Sequence, residues 1–183
     1  MMPSVHRSGR ERGSGLIIII MICAFMLAVG MVLLTVTGTS PQVSDSMRLQ
    51  GMAFDSAEAG FNAAWIALND SFNSGLWTSF AGHYKTTYNG SDFDDPTQPA
   101  TYFRSLTDEQ IWAECAANPD PNIIIFNAEP LATDPRCSFT VFLVSDEAPN
   151  TIASNDNDAI LLCIGRGPRN TYKRLEILIE CPQ

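Results

Sequence analysis

Twenty-one consecutive residues, Leu16 to Val36, carry no charge. At a helical rise of ~1.5 Å per residue the run is ~31 Å long, close to the thickness of a bilayer core. It reads as a hydrophobic anchor at the head of the chain. Arg7, Arg10 and Arg12 precede it with only Glu11 against them. By the excess of positive charge on the cytoplasmic side, this predicts a cytoplasmic N-terminus and places everything after Val36 beyond the membrane. The chain has 183 residues, enough for one such anchor and one modest globular domain.

The net charge is −9, and −11 once residues 1–13 are set aside. That acidity disfavours nucleic acid, whose phosphates are met by patches of Lys and Arg. Lys173 and Arg174, with Arg166 and Arg169, read as a charged hairpin tip. Of five cysteines, Cys23 lies inside the apolar run and behaves as a small hydrophobe. Cys115, Cys137, Cys163 and Cys181 fall on the oxidising side, where two disulfides are the default. Three pairings are open and no spacing suggests a zinc knuckle. Cys115 with Cys137 and Cys163 with Cys181 is the favoured arrangement.

A secretory signal has an apolar core of about 7 to 15 residues followed by small residues at the cleavage site. Here the run is longer, and Gly13, Ser14 and Gly15 come before it. A protease cutting at Gly13 from the cytoplasmic side would remove the charged leader and leave the helix on the mature protein. An uncleaved signal anchor, with Gly13 a mere loop residue, is the other reading.

Thr37-Gly38-Thr39-Ser40-Pro41 predicts a break or kink, since Pro41 lacks a backbone donor and Gly38 loosens the turn. Helical pattern resumes with Ser44 or Asp45 as N-cap. Met47, Phe54, Phe61, Trp65 and Leu68, with Ala57 and Ala64, recur on one stripe that is expected to cover a sheet. Met52, Ala59, Ala63 and Ile66 form a weaker stripe nearly opposite, available to a neighbouring helix or simply scattered on the surface. Glu58 falls at the edge of the main stripe, where a carboxylate needs a partner.

Asn69 to Pro135 is rich in turn sequences. One short helix is expected from Thr107 to Ala117, opened by the capping sequence Thr107-Asp108-Glu109-Gln110, and one strand from Ile123 to Phe126. The remainder of this stretch reads as loop pinned to the sheet by a disulfide through Cys115. Cys137 to Ser145, Ala159 to Ile164 and Tyr172 to Cys181 are strands by length and composition. In the last, Leu175, Ile177, Ile179 and Cys181 alternate with the other face. Gly165 to Asn170 reads as the hairpin joining the last two. The expected fold is α+β: a long N-terminal helix whose outer half lies on a small antiparallel sheet.

Two segments in register resemble a known family. Arg12-Gly13 followed by Ser-Gly-Leu-Ile-Ile-Ile-Ile is similar to the prepilin start of PilX-like minor pilins of type IV pili. Ala53-Phe54-Asp55-Ser56-Ala57-Glu58-Ala59-Gly60 resembles that family's Ala-Phe-x-Ala-Ala-Glu-Ala-Ala segment. The match covers about the first sixty-five residues. It implies a pilin-like fold, a cut after Gly13 by prepilin peptidase, and methylation of the new N-terminus at Ser14. It also implies that the helix packs against other minor and major pilins in a filament core, through Leu16, Ile17, Ile18, Ile19, Ile20, Phe25 and Leu27, with Glu58 as a polar partner. The parts are then a leader (1–13), a core helix and kink (14–43) and a globular domain outside the inner membrane (44–183). Major pilins carry a glutamate at the fifth mature position, here Ile18; its absence resembles PilX-like and K-type minor subunits of type II secretion, near the filament tip.

For catalysis the sequence offers little. His83 stands in a polar region without a Gly-x-Ser-x-Gly elbow. Ser91 to Asp95 and Asn155 to Asp158 lack the EF-hand order of ligands and read as solvated turns. No cofactor or metal is expected. The reading is a structural minor pilin exposed on the cell surface after assembly. The alternatives are a minor pseudopilin of type II secretion and a bitopic envelope protein with a ligand-binding or enzymatic outer domain.

Overall fold

The structure, a computed structural model, describes residues 14–145 and 157–181. The chain falls into two compact units with the boundary between Ser46 and Met47. Helix α1 runs from Ser14 to Asn73 and so contributes to both. The helical assignment continues through Gly38 and Pro41, against the break expected there. A proline removes one backbone donor from the ladder at a cost of ~3 kcal/mol, and uninterrupted turns on both sides of Pro41 outweigh it. Ser44 and Asp45 therefore lie inside the helix and not at an N-cap.

The second unit is α+β. Four strands, β3 (Ile124–Pro130), β4 (Ser138–Val144), β5 (Asp158–Gly167) and β6 (Thr171–Glu180), form an antiparallel sheet in that order. A two-residue ribbon, β1 (Thr87–Tyr88) with β2 (Ser91–Asp92), turns at Asn89 and Gly90, whose φ of 50° and 79° are those of a tight primed hairpin. Helix α2 (Asp108–Ala117) begins in the expected capping box: Thr107 Oγ1 accepts from the Gln110 amide, and Gln110 Oε1 accepts from the Thr107 amide.

The sheet is covered on both sides. Phe139, Val141, Leu143, Leu161 and Cys163 face the 47–73 segment of α1, with Ala57, Ala64 and Leu68. Phe142, Val144, Ile160, Leu162 and Ile164 face α2 and the preceding loops, with Phe93, Phe103, Leu106, Ile111 and Trp112. This second apolar layer was unexpected. The Asn69–Pro135 stretch is held by aromatic burial and by a parallel bridge from Tyr84 to Leu143, not by a disulfide.

The face that α1 turns to the sheet also differs from expectation. Leu68, Ala57 and Ala64 are buried as foreseen, but Met47, Phe54 and Trp65 are exposed and Phe61 is half-buried. The buried line is Ala53, Ala57, Gly60, Ala64 and Leu68, with Ser56 beside it. The reason is distance. A Cβ on Gly165 would fall onto the Ala53 carbonyl oxygen and the Ala57 amide, and one on Gly167 would lie 3.1 Å from the Ala53 amide. Backbone meets backbone here, so only small residues fit on the helix. Gly165 and Gly167 are strand residues, and the β5–β6 connection is the shorter Pro168–Asn170. On the weaker stripe Met52, Ala59 and Ala63 are half-buried and Ile66 is exposed.

All five cysteines are free thiols. The favoured Cys163–Cys181 pairing conflicts with the strand register: Cys163 stands opposite Leu175, six residues or ~20 Å along β6 from Cys181, while a disulfide needs Cα atoms within ~7 Å. Cys115 belongs to the core on one face of the sheet and Cys163 to the core on the other. Cys115 and Cys137, the other favoured pair, are each buried and unlinked. Burial pushes the Cys115 thiol up to about 11 and that of Cys163 up to about 12.

Candidate functional site

The feature with the largest energetic consequence is the apolar segment of α1. Gly15–Thr35 is one helical stretch of 21 residues, long and apolar enough to cross a membrane. Fifteen large apolar side chains between Leu16 and Leu34 are exposed. At ~1.5–3 kcal/mol for each such side chain fully buried, even half burial stabilises by ~10–20 kcal/mol. That exceeds the ~5–15 kcal/mol by which a whole domain is folded, so the segment requires an apolar surrounding. Leu16, Ile17, Ile18, Ile19, Ile20, Phe25 and Leu27 are all among the exposed residues, between 54% and 69% accessible. The helix thus offers apolar surface around its whole circumference and not along one seam. Thr35 is accommodated because its hydroxyl bonds back to the Val32 carbonyl at 2.8 Å, which removes an unpaired donor from the apolar surface.

Ser14 is the first residue of α1, while Gly13 and the arginines before it lie outside the described residues. No acidic side chain stands in the first turn of the helix.

Glu58 is exposed and makes no hydrogen bond or ion pair with a described residue. Rotation of α1 toward its small-residue seam carries the main stripe away from the sheet. Glu58 therefore shares an exposed flank with Met47, Phe54 and Trp65. Phe61 packs against Trp65 at 6.2 Å between ring centroids and closes this flank toward the sheet.

Other singled-out residues have local structural roles. His83 is half-buried, stacked on Trp77 at 3.7 Å, with Nδ1 3.2 Å from the Asn122 carbonyl oxygen. Asp95 accepts from the amide and hydroxyl of Thr97 and from Gln98, which holds its carboxyl below the usual range. Asp94 is raised by burial. Asn155 and Asp156 lie outside the described residues. Among the described residues no group of three or more His, Cys, Asp and Glu side chains is placed to hold a metal ion.

Arg174 is the residue whose role the sequence concealed. It lies on β6 opposite Ile164, not at a hairpin tip. Its guanidinium donates to Asp108 Oδ1 and to the carbonyls of Phe103 and Leu106, each at 2.8 Å. Arg104 meets Glu176 nearby at 3.1 Å. The available signal was the alternation in β6, which puts Arg174 on the face opposite Leu175 and so under α2.

The chain is an apolar N-terminal helical segment followed in sequence by an α+β domain. No protein-family model matches the chain, and no curated protein or solved structure matches it.

Proposed function

We propose that this protein is a minor pilin of the PilX-like kind, a structural subunit and not an enzyme, acting in the priming or tip complex of a type IV pilus. The observation that carries the reading is an uncharged helix, apolar around its whole circumference, that begins directly after Arg12-Gly13. Such a helix is stable in a bilayer. It is equally stable among other helices of its kind, because its apolar surface stays dry in both settings. One segment thereby serves as inner-membrane anchor before assembly and as filament core afterwards.

In this reading prepilin peptidase cuts after Gly13, and methylated Ser14 becomes the mature N-terminus. Ile18 stands where a repeating major subunit would need a carboxylate, which suits a scarce subunit. Glu58, exposed on an aromatic flank and without an ion pair among the described residues, supplies a polar contact to a neighbouring pilin. A pseudopilin of type II secretion shares these features and differs in the partners it copurifies with.

Mass spectrometry of the protein purified from its native membrane is the test. A chain starting at methylated Ser14 is expected; an intact start at Met1 or Met2 would refute the pilin reading and leave a bitopic envelope protein.

A further inference from the structure

The two edges of the four-stranded sheet are finished differently. Along β3 the register slips twice, Ala128 takes a φ of 52° and the strand ends in Pro130. Bulges and prolines of this kind keep an edge from pairing with another chain. β6 has neither: its ten residues run in unbroken register against β5, and no described residue pairs with its outer side. Alternate residues of β6 therefore turn an amide and a carbonyl outward, and together they form a template for one more strand.

The side chains along this edge are unmatched on both faces. Toward α1, Ile179 borders an apolar groove of about 180 Å³ with Trp65, Leu68, Phe72 and Phe80. On the other face Leu178 is 60% exposed. Next to it on that face, Glu180 stands directly opposite Asp158 of β5, a like-charge pair that destabilises a sheet left to itself. Neither carboxylate has an ion pair among the described residues, and Asp158 Oδ1 is buried without a hydrogen-bond donor.

We propose that β6 accepts an extended segment of a partner protein as a fifth strand. One apolar residue of that segment enters the groove beside Ile179, and a Lys or Arg stands next to Glu180 and Asp158. Backbone pairing supplies the affinity and the alternating side chains the selection. The carboxylate pair decides the charge of the partner, and it also decides against a second copy of this chain. On the face of β6 that carries Glu180, the only basic residue is Arg174, whose guanidinium is already bound to Asp108 and to the Phe103 and Leu106 carbonyls. The strand site is independent of the pilin reading and holds for any protein with this domain.

The experiment uses the full chain in a non-ionic detergent and three fluorescent eight-residue peptides, read by polarisation. The first alternates lysine with isoleucine, the second alternates glutamate with isoleucine, and the third is the first with alternate amides N-methylated to block backbone pairing. The first is expected to bind, and the other two at least ~10-fold more weakly. Glu180→Lys and Trp65→Ala, both at exposed positions, are each expected to weaken the first peptide by ~5-fold or more. Hydrogen exchange is expected to slow in β6 when the peptide binds, while β3 is unchanged. No binding, equal binding of the first two peptides, undiminished binding in both variants, or slowed exchange elsewhere than β6 would overturn the proposal. So would a chain that sediments as a dimer with β6 already protected, since a second copy would then cover the edge.

Discussion

Arg174 ties β6 to α2 through three 2.8 Å hydrogen bonds from one side chain that is 12% exposed. Replacing it with Met keeps most of the side-chain volume and removes all three. Hydrogen bonds to or from charged groups contribute ~1.5–3 kcal/mol each, and an unmet buried acceptor costs ~1–3 kcal/mol. The Phe103 and Leu106 carbonyls are part-buried and lose their donor, while Asp108, 26% exposed, recovers some hydration. Counting the two orphaned carbonyls near the middle of the acceptor range and Asp108 as largely rehydrated, the expected loss for Arg174→Met is ~3–4 kcal/mol. Arg174→Lys keeps the charge but not the fork, and is expected to cost ~1–2 kcal/mol. Urea unfolding of the full chain in mild detergent, followed by tryptophan fluorescence, measures both, provided the slope against denaturant stays unchanged. A loss below ~1 kcal/mol for Arg174→Met, or equal losses for the two variants, would show that the guanidinium geometry is not what joins the layers.

Gly165→Ala is expected to cost ~3 kcal/mol or more, because the new methyl meets backbone atoms of α1 that cannot yield, whereas at Gly60→Ala the nearest atoms belong to the Phe139 side chain and the cost is expected at ~1–3 kcal/mol; paired unfolding midpoints compare them. Thiol labelling of the denatured, unreduced protein is expected to modify all five cysteines, and modification of Cys23 alone would restore the two disulfides first expected from the sequence. Because burial raises the Cys115 and Cys163 thiols, the unfolded chain ionises first. Their contribution is fully present below pH ~9 and is lost as pH rises toward 11 to 12, by up to ~1.4 kcal/mol per pH unit per thiol. Melting temperature against pH checks this, with Cys163→Val expected to flatten the decline above pH ~9. Thr107→Ala removes one half of the capping box and is expected to cost ~1 kcal/mol.

Much of the frame was legible because its signals are local. The apolar run, the Thr107–Gln110 box and the strand runs of β4 to β6 each depend on residues close in sequence. The side of α1 that meets the sheet was not legible. Periodicity weights large apolar residues and so selects Met47, Phe54 and Trp65. What decides the face is the closeness of β5, set by Gly165 and Gly167 more than one hundred residues away. Arg174 was misread for a related reason: a charge near a glycine-rich turn looks like a tip until the strand register shows that β5 runs on to Gly167.

The glycine seam also determines how this domain bears tension. At Ala53 and Ala57 the helix touches β5 backbone to backbone, with no flexible side chain between them to stretch. A pull along this part of α1 therefore passes directly into β5. That strand is not at an edge: it is registered against β4 over seven residue pairs and against β6 over ten. The load divides between two hydrogen-bond ladders from the outset, and the first structure to yield under force is expected to lie elsewhere than at the helix–sheet junction.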